Sequence, residues 1–122
     1  MTAPRLSPGL VVFAASVALD HEPVPADQVV AGTPTTGHLV LDEGGPVTIG
    51  VWEMSVGAMS DVEADEVFVV LAGDATVEFT GGPGHDTGLD QIELQAGSVV
   101  RLVDGMETVW TVREPLRKVY LA

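Results

Sequence analysis

Glycine and proline punctuation dominates this chain and limits it to short extended segments. Fourteen glycines and eight prolines divide the 122 residues into runs rich in Val, Leu, Ile and Thr. Runs of this kind, bounded by turn-forming residues, are typical of strands. The predicted strands are 11–18, 37–42, 48–55, 66–72, 75–80, 91–94, 98–102, 107–113 and 117–121. So many short, closely spaced strands predict an all-β sandwich or barrel.

Helical periodicity is weak throughout the chain. The best candidate is a single turn near 25–30, "PADQVV", where a proline leads and an acid follows in the first turn. The run "VFVVLA" at 67–72 does not alternate, which indicates a strand covered on both faces. One face would be the barrel interior, and the other would meet a neighbouring sheet or subunit. This run is a first indication of a homodimer.

The charge balance excludes two classes of partner. Five basic residues stand against eighteen acidic ones, which gives a formal net charge of −13. Nucleic acids and anionic membranes both need a basic surface, so we expect neither as a partner. The chain has no cysteine, which rules out disulfides, thiolate metal sites and a cysteine nucleophile.

The N-terminal part contains the apolar run "LVVFAASVAL" at 10–19. The run is too short to span a bilayer, and one basic residue with a Pro-Gly break makes it a poor signal peptide. We therefore expect a buried strand in a cytoplasmic protein. An exposed strand of this character would aggregate unless paired. The predicted organisation is a strand segment at 1–24, packed on the barrel or on a partner subunit, and a barrel at 25–122.

Two glycine-framed segments resemble the two motifs of the cupins. The first cupin motif places two histidines and a glutamate between two glycines. Here Gly57 and Gly73 frame the segment, and Glu66 takes the glutamate position. Glu63 and Asp65 stand where the histidines are expected, and the segment is about two residues shorter than the full motif.

The second cupin motif reads Gly, five residues, Pro, any residue, Gly, two residues, His. Gly97, Val103, Gly105 and Thr108 fall on these positions. Valine thus replaces the proline, and threonine replaces the last metal-binding histidine.

A closer resemblance is to the ureidoglycine aminohydrolase-like cupins, which include ethanolamine-utilisation-type members. Five segments in the right order carry it across roughly 25–121. They are "VVAGTP" (29–34), "GVWEMSVG" (50–57), "DEVFVVLAG" (65–73), "QAGSVVRLVDGMETVW" (95–110) and "EPLRKVYL" (114–121). The resemblance implies a double-stranded β-helix, the cupin jelly-roll barrel, which in cupins is often dimeric through its N-terminal strand. It also implies a manganese-assisted aminohydrolase activity, although many single-domain relatives have no assigned activity.

The residues in the motif positions do not suit a transition metal. Such ions usually take two or three imidazoles plus a carboxylate, whereas three acids and Thr108 suit Ca²⁺ or Mg²⁺ better. Asp65 and Glu66 are neighbours on a strand and cannot both point inward, and by its family position Glu66 is the inward one. The three histidines His21, His38 and His85 do not pair at ligand spacing. We expect a degenerate metal site, with no metal and no cofactor.

Strand alternation predicts which side chains line the barrel. If Glu66 faces inward, Phe68 and Val70 do too, and Thr108 brings Trp110 and Val112 with it. Apolar walls with few polar anchors fit a small organic ligand. The expected ligand-binding residues are Trp52, Met59, Glu63, Phe68, Arg101, Thr108 and Trp110. The alternative is that these aromatic residues simply fill a small barrel.

Glu66 is the candidate catalytic residue, because a carboxyl group among apolar side chains can act as a general acid or base near neutrality. The alternative role is an ion pair with Arg101, Arg117 or Lys118. The sequence thus favours a cupin that binds a small neutral or cationic organic molecule without a transition metal. Two alternatives stay open: hydrolysis or proton transfer on a small nitrogenous substrate, or a structural dimer with a filled barrel.

Overall fold

The computed structural model describes residues 4–122, and nearly all of its regular structure is β. Its strands are β1 (His21–Pro23), β2 (Val29–Ala31), β3 (Thr35–Asp42), β4 (Ile49–Met54), β5 (Gly57–Val62), β6 (Glu66–Gly81), β7 (Gln91–Gln95), β8 (Val99–Leu102) and β9 (Glu107–Leu121). A short 3-10 helix spans His85–Thr87 between β6 and β7.

The strand β9 is the centre of an antiparallel sheet that curls into a barrel. One edge of β9 pairs with β5 along its first half and with β4 along its second half. Its other edge pairs with β6 along most of its length. The remaining strands extend the sheet, β3 and β1 beyond β4, β2 beyond β5, and β7 and β8 beyond β6. This arrangement confirms the predicted all-β barrel.

The two longest strands run through positions where the sequence predicted a break between strands. The sequence placed separate strands at 66–72 and 75–80, and again at 107–113 and 117–121, but β6 and β9 each continue through the break. Gly73 has a φ of 109°, and a Cβ there would collide with the backbone of Pro115 on β9. The glycine therefore lets the two strands change direction together without ending their pairing.

The N-terminal apolar run does not form the predicted strand 11–18. These residues make a turn in which the Ser16 and Val17 amides donate to the Phe13 carbonyl at 3.1 and 3.0 Å. The N-terminal segment contributes β1 instead, which pairs with β3. Residues 26–28 form a turn with a hydrogen bond from Gln28 N to the Pro25 oxygen at 2.8 Å, in place of the predicted helical turn.

A charged cluster attaches the N-terminal segment to the barrel. Nη1 of Arg117 donates to the carbonyls of Ala14 at 3.0 Å and Val17 at 2.7 Å, and its Nε donates to Glu53 at 2.6 Å. The ring Nε2 of His21 lies 2.7 Å from the same Glu53 carboxylate. Burial alone would raise the pKa of Glu53, but the hydrogen bonds from Arg117 and His21 outweigh it and hold that pKa below its usual value.

One continuous hydrophobic core lies inside the barrel. The alternation predicted for β6 and β9 is confirmed, since the five inward positions after Glu66 are all buried: Phe68, Val70, Thr108, Trp110 and Val112. Among the described residues, no helix has both the length and the apolar character needed to cross a membrane.

Candidate functional site

A cavity of about 190 Å³, partly open to solvent, lies beside Glu66. This volume corresponds to about six water molecules, so it suits a small ligand. The lining side chains come from β3, β4, β5, β6, β9 and the loop between β5 and β6. They are His38, Trp52, Asp61, Glu63, Glu66, Trp110, Lys118 and Tyr120.

Glu63 is the best-anchored carboxylate at this cavity. Its Oε2 atom accepts hydrogen bonds from Thr108 Oγ1 at 2.7 Å and from Trp110 Nε1 at 2.9 Å. The backbone of Glu63 is held as well, because its amide donates to the Met106 oxygen and its carbonyl accepts from the Gly105 amide. The side chain is thus fixed to β9 and to the β8–β9 loop.

The second oxygen of Glu63 is left for the cavity. Oε1 accepts no hydrogen bond from the part of the chain that the structure describes. Within the same residues, no buried side-chain nitrogen or oxygen lacks a partner, so Oε1 is not enclosed by protein. Because Glu63 lines the cavity, this oxygen is available as an acceptor for a ligand.

Lys118 places an ammonium group at the cavity. Its Nζ donates to Glu66, with distances of 2.9 Å to Oε1 and 3.3 Å to Oε2. The same nitrogen lies 4.3 Å from the ring centroid of Phe68, 4.8 Å from that of Trp52 and 4.9 Å from that of Trp110. Of the ion-pair partners predicted for Glu66, the structure therefore selects Lys118.

The environment of Asp61 disfavours the ionisation of its carboxyl group. Burial raises its pKa above the usual value, and the nearby charges of Glu63 and Glu66 raise it further. The backbone amide of Val62 and the charge of Lys118 lower the pKa by less. Asp61 can therefore hold a proton at a higher pH than an exposed aspartate does.

Tyr120 completes the wall next to Lys118. Burial and the charges of Glu66 and Glu43 raise the pKa of its hydroxyl group, so the phenol stays neutral at physiological pH. Gly50 lies directly across the strand pair from Tyr120, and a Cβ at Gly50 would collide with the phenol ring. The glycine on β4 therefore makes room for this ring.

The structure brings together some of the residues predicted to bind a ligand. Trp52, Glu63 and Trp110 line the cavity, as does the candidate catalytic residue Glu66. Phe68 is fully buried beneath Lys118, and Thr108 acts through its hydrogen bond to Glu63.

Two predicted residues lie elsewhere. Met59 is buried in the hydrophobic core and does not line the cavity. Arg101 is exposed, because its register partner on β6 is Val67, whose side chain points away from the face that carries Glu66 and Phe68. Asp65 is exposed too, and its carboxylate accepts a hydrogen bond from the Asp104 amide.

Four lining residues were not among the predicted binding residues: His38, Asp61, Lys118 and Tyr120. Alternation would have found three of them. Lys118 and Tyr120 follow buried Leu116 at every second position of β9, and Asp61 lies two residues after buried Met59 on β5.

The donor groups at this site do not fit a transition metal. No group of three His, Cys, Asp or Glu side chains among the described residues is arranged to hold a metal ion. Glu66 is bound to an ammonium group, and one oxygen of Glu63 is bound to Thr108 and Trp110. A cation at Glu66 would have to approach the positive charge of Lys118.

A curled antiparallel barrel of this kind is the architecture of a cupin. The family model of the EutQ-like cupin domain matches residues 41–120, and the chain belongs to that family. The finer resemblance to ureidoglycine aminohydrolases stays a prediction. No curated protein matches the chain.

Solved structures of low sequence identity share the fold. A protein of unknown function of the DUF861 family from Pseudomonas syringae pv. tomato str. DC3000 matches 88% of this chain, with a TM-score of 0.69 and 19% identity. This chain spans only 45% of that protein.

Two further structures are similar over almost their whole length. A putative ethanolamine utilization protein Q from Salmonella typhimurium LT2 matches 88% of this chain, with 96% of its own length covered, a TM-score of 0.58 and 16% identity. A cupin superfamily protein from Desulfitobacterium hafniense DCB-2 matches 100% of this chain, with 97% of its own length covered, a TM-score of 0.60 and 12% identity. At these identities the likeness concerns the fold alone.

Proposed function

We propose that this cupin binds a small organic molecule with a cationic, N–H-donating group, and that it does so without a transition metal. The observation that carries the proposal is the geometry of Glu63. Thr108 and Trp110 fix one carboxylate oxygen, and the other is open to the cavity. A preoriented carboxylate of this kind forms strong, charge-assisted hydrogen bonds with ammonium or amidinium groups.

The charge of the cavity supports a cationic ligand. Asp61, Glu63 and Glu66 face a single ammonium group, that of Lys118, which Glu66 already neutralises. Two carboxyl groups therefore lack a cation, and one of them, Asp61, resists ionisation mainly because it is buried and also because of the charge of the other. A cation that enters between them relieves this repulsion, whereas an anion would add to it.

The cavity walls support a small ligand with an apolar part. The indole rings of Trp52 and Trp110 lie 5.6 Å apart between centroids, with an interplanar angle of 58°, and both line the cavity. Indole rings bury methylene groups, so these two rings can contact the apolar part of a ligand. The volume limits the ligand to about ten non-hydrogen atoms.

The test is a calorimetric titration of chelator-treated protein with matched sets of small molecules. Each set contains a primary amine, the alcohol of the same shape and the corresponding carboxylate. The proposal expects amines to bind and the other two not to. Glu63→Gln should weaken amine binding, whereas Glu78→Gln, which changes net charge equally at an exposed position of β6, should not. Binding that needs added metal, or equal binding by alcohols, would overturn the proposal.

A second candidate function is proton transfer on the bound molecule, with Asp61 as the acid or base. The raised pKa of Asp61 favours it, because a group that titrates closer to neutrality transfers protons more effectively. Glu66, the residue chosen from the sequence, is less suited because Lys118 occupies its carboxylate. If a ligand from the titration is turned over, Asp61→Asn should abolish turnover while the amine still binds.

We also propose that the protein acts as a homodimer. Four apolar residues of the N-terminal segment, Leu10 to Phe13, are exposed, and Phe13 reaches 74%. A cluster of exposed apolar side chains is typical of an interaction surface. The second copy is the proposed partner, because each copy presents the same apolar segment and an isologous contact lets both segments be covered at once.

A further inference from the structure

The ammonium group of Lys118 lies in an aromatic cage formed by Trp52, Phe68 and Trp110. The three ring centroids are 4.3–4.9 Å from Nζ. The rings are tilted against one another, with Phe68 and Trp110 at 5.8 Å and 42°, so they form separate walls rather than a stack. Glu66 supplies the counter-charge, and the Lys118 side chain is only 6% exposed.

The three rings and Glu66 are the kinds of group with which proteins recognise a free ammonium ion. Aromatic faces attract the cation through their quadrupoles, and a carboxylate accepts its N–H groups. Here the cation is part of the chain. Strand register explains why it stays in place, because Lys118 on β9 lies directly opposite Trp52 on β4 and Val70 on β6.

We propose that the cage and Glu66 form a primary-ammonium binding site whose occupant is the chain's own Lys118, and that Lys118 thereby sets the specificity of the cavity. While the lysine fills the cage, an incoming amine cannot use these three rings and Glu66 together. It is directed instead to the carboxyl groups of Glu63 and Asp61, which also line the cavity. The occupancy of the cage is independent of the proposed function, since the cage would hold its lysine whether or not a ligand binds at Glu63, whereas the effect of Lys118 on specificity rests on that function.

The ammonium group of Lys118 also disfavours a metal ion at Glu66. The carboxylate of Glu66 already has an ammonium group at 2.9 Å, and a divalent ion there would be repelled by that charge. In this barrel the ammonium group of Lys118 neutralises the carboxylate of Glu66.

The experiment is chemical rescue of Lys118→Ala. This change removes three carbons and the nitrogen, which together correspond to n-propylammonium. We expect n-propylammonium chloride to raise the Tm of Lys118→Ala above its value in equal sodium chloride, and to bind this variant at least tenfold more tightly than wild type. The neutral isostere 1-propanol should not rescue. Lys118→Met, which keeps an apolar side chain in the cage, should not respond to the amine.

A further variant identifies the site of rescue. In Lys118→Ala combined with Glu66→Gln, the rescue by n-propylammonium should be lost, because the counter-charge is gone. Equal rescue by 1-propanol, or rescue that persists without the Glu66 charge, would overturn the proposal. If Lys118→Ala is unfolded without additive, the variant is refolded in n-propylammonium chloride and, separately, in 1-propanol. Folding in the amine alone would support the proposal, and equal folding in both would overturn it.

Wild-type protein provides a test that does not depend on a variant's folding. A lysine enclosed by three rings should show methylene proton resonances shifted strongly upfield, and its ammonium protons should exchange slowly with water. These signals should disappear in Lys118→Met. Lys118 is the only lysine in the sequence, so a wild-type spectrum in which the lysine side-chain signals have ordinary shifts would contradict the cage. Failure of amines to bind at Glu63 would leave this result unchanged, so the two proposals fail separately.

Discussion

Glu63 and Trp110 are joined by a hydrogen bond of 2.9 Å between a loop carboxylate and an indole on β9. The bond fixes the carboxylate that follows β5 to the central strand of the sheet, 47 residues further along the chain. Thr108 reinforces it from the same face of β9. The carboxylate of Glu63 and the strand β9 are therefore joined by hydrogen bonds. Substitutions of Glu63 can distinguish the effect of these hydrogen bonds from the effect of its charge.

Glu63→Gln and Glu63→Ala should have different effects. Glutamine keeps an oxygen that can accept hydrogen bonds from Thr108 and Trp110. The Tm of Glu63→Gln should therefore stay within a few degrees of the wild-type value. Alanine leaves both donors without this acceptor. The expected loss is about 2 kcal/mol, or a fall in Tm on the order of 8 °C. Thermal unfolding followed by circular dichroism measures both; equal losses would show that the charge, not the hydrogen bonds, stabilises the fold.

Asp61→Asn should change how stability depends on pH. Burial, together with the charge of Glu63, raises the pKa of Asp61 in the folded protein. The folded state then binds this proton more tightly than the unfolded state, so the ionisation of Asp61 lowers stability as pH rises from about 4 through the folded pKa. The asparagine variant lacks this cost and should be the more stable protein at pH 7.

The advantage of Asp61→Asn should shrink as pH falls and should vanish below about pH 3.5, where both states of the wild type are protonated. Tm values of variant and wild type between pH 3 and 8 provide the comparison. Asp90→Asn, at an exposed position, is the control and should show no such trend. A difference in Tm that is the same at every pH would contradict the assignment.

Arg117→Met should release the N-terminal segment from the barrel. Arg117 is the residue whose guanidinium group holds the carbonyls of Ala14 and Val17. Its loss also removes an ion-pair partner of Glu53, at a cost of about 1–3 kcal/mol. Hydrogen exchange should accelerate at 10–19 far more than in β6 and β9. Arg113→Met, an exposed change at the bend of the same strand, should leave exchange at 10–19 unaltered.

Phe13→Glu should convert the proposed homodimer into a monomer. A charge placed among the exposed apolar residues 10–13 cannot be buried in a contact between copies without a large desolvation cost. Sedimentation velocity over a range of concentrations measures the assembly state. Val56→Glu, at an exposed apolar residue in the β4–β5 loop, is the control. A wild-type protein that sediments as a monomer at high concentration would refute the dimer.

The sequence correctly predicted which side chains of β6 and β9 face the barrel interior. Alternation along β6 and β9 places Phe68, Val70, Trp110 and Val112 correctly in the interior, because a strand presents every second residue to the same face. The cupin motifs locate Glu63 and Glu66 as site residues. The fold class could thus be predicted, and so could two of the three acidic residues at the cavity.

The features that the sequence did not predict depend on contacts between distant segments of the chain. Lys118 reaches Glu66 because β9 pairs with β6, and a register of this kind is not encoded in either strand alone. Arg101 faces outward for the same reason. The apolar run at 10–19 has the composition of a strand, but no edge of the described sheet pairs with it, and Arg117 holds it as a turn.

The most direct test of the central claim uses the indole N–H of Trp110 as a reporter of Glu63. The chain has two tryptophans, so a proton–nitrogen correlation spectrum shows two indole signals, and Trp52→Phe assigns them. In chelator-treated protein, a small amine that binds at Glu63 should shift the Trp110 signal without any added metal. If this signal moves only after manganese, iron, nickel or zinc is supplied, the account of a metal-free cation site is contradicted.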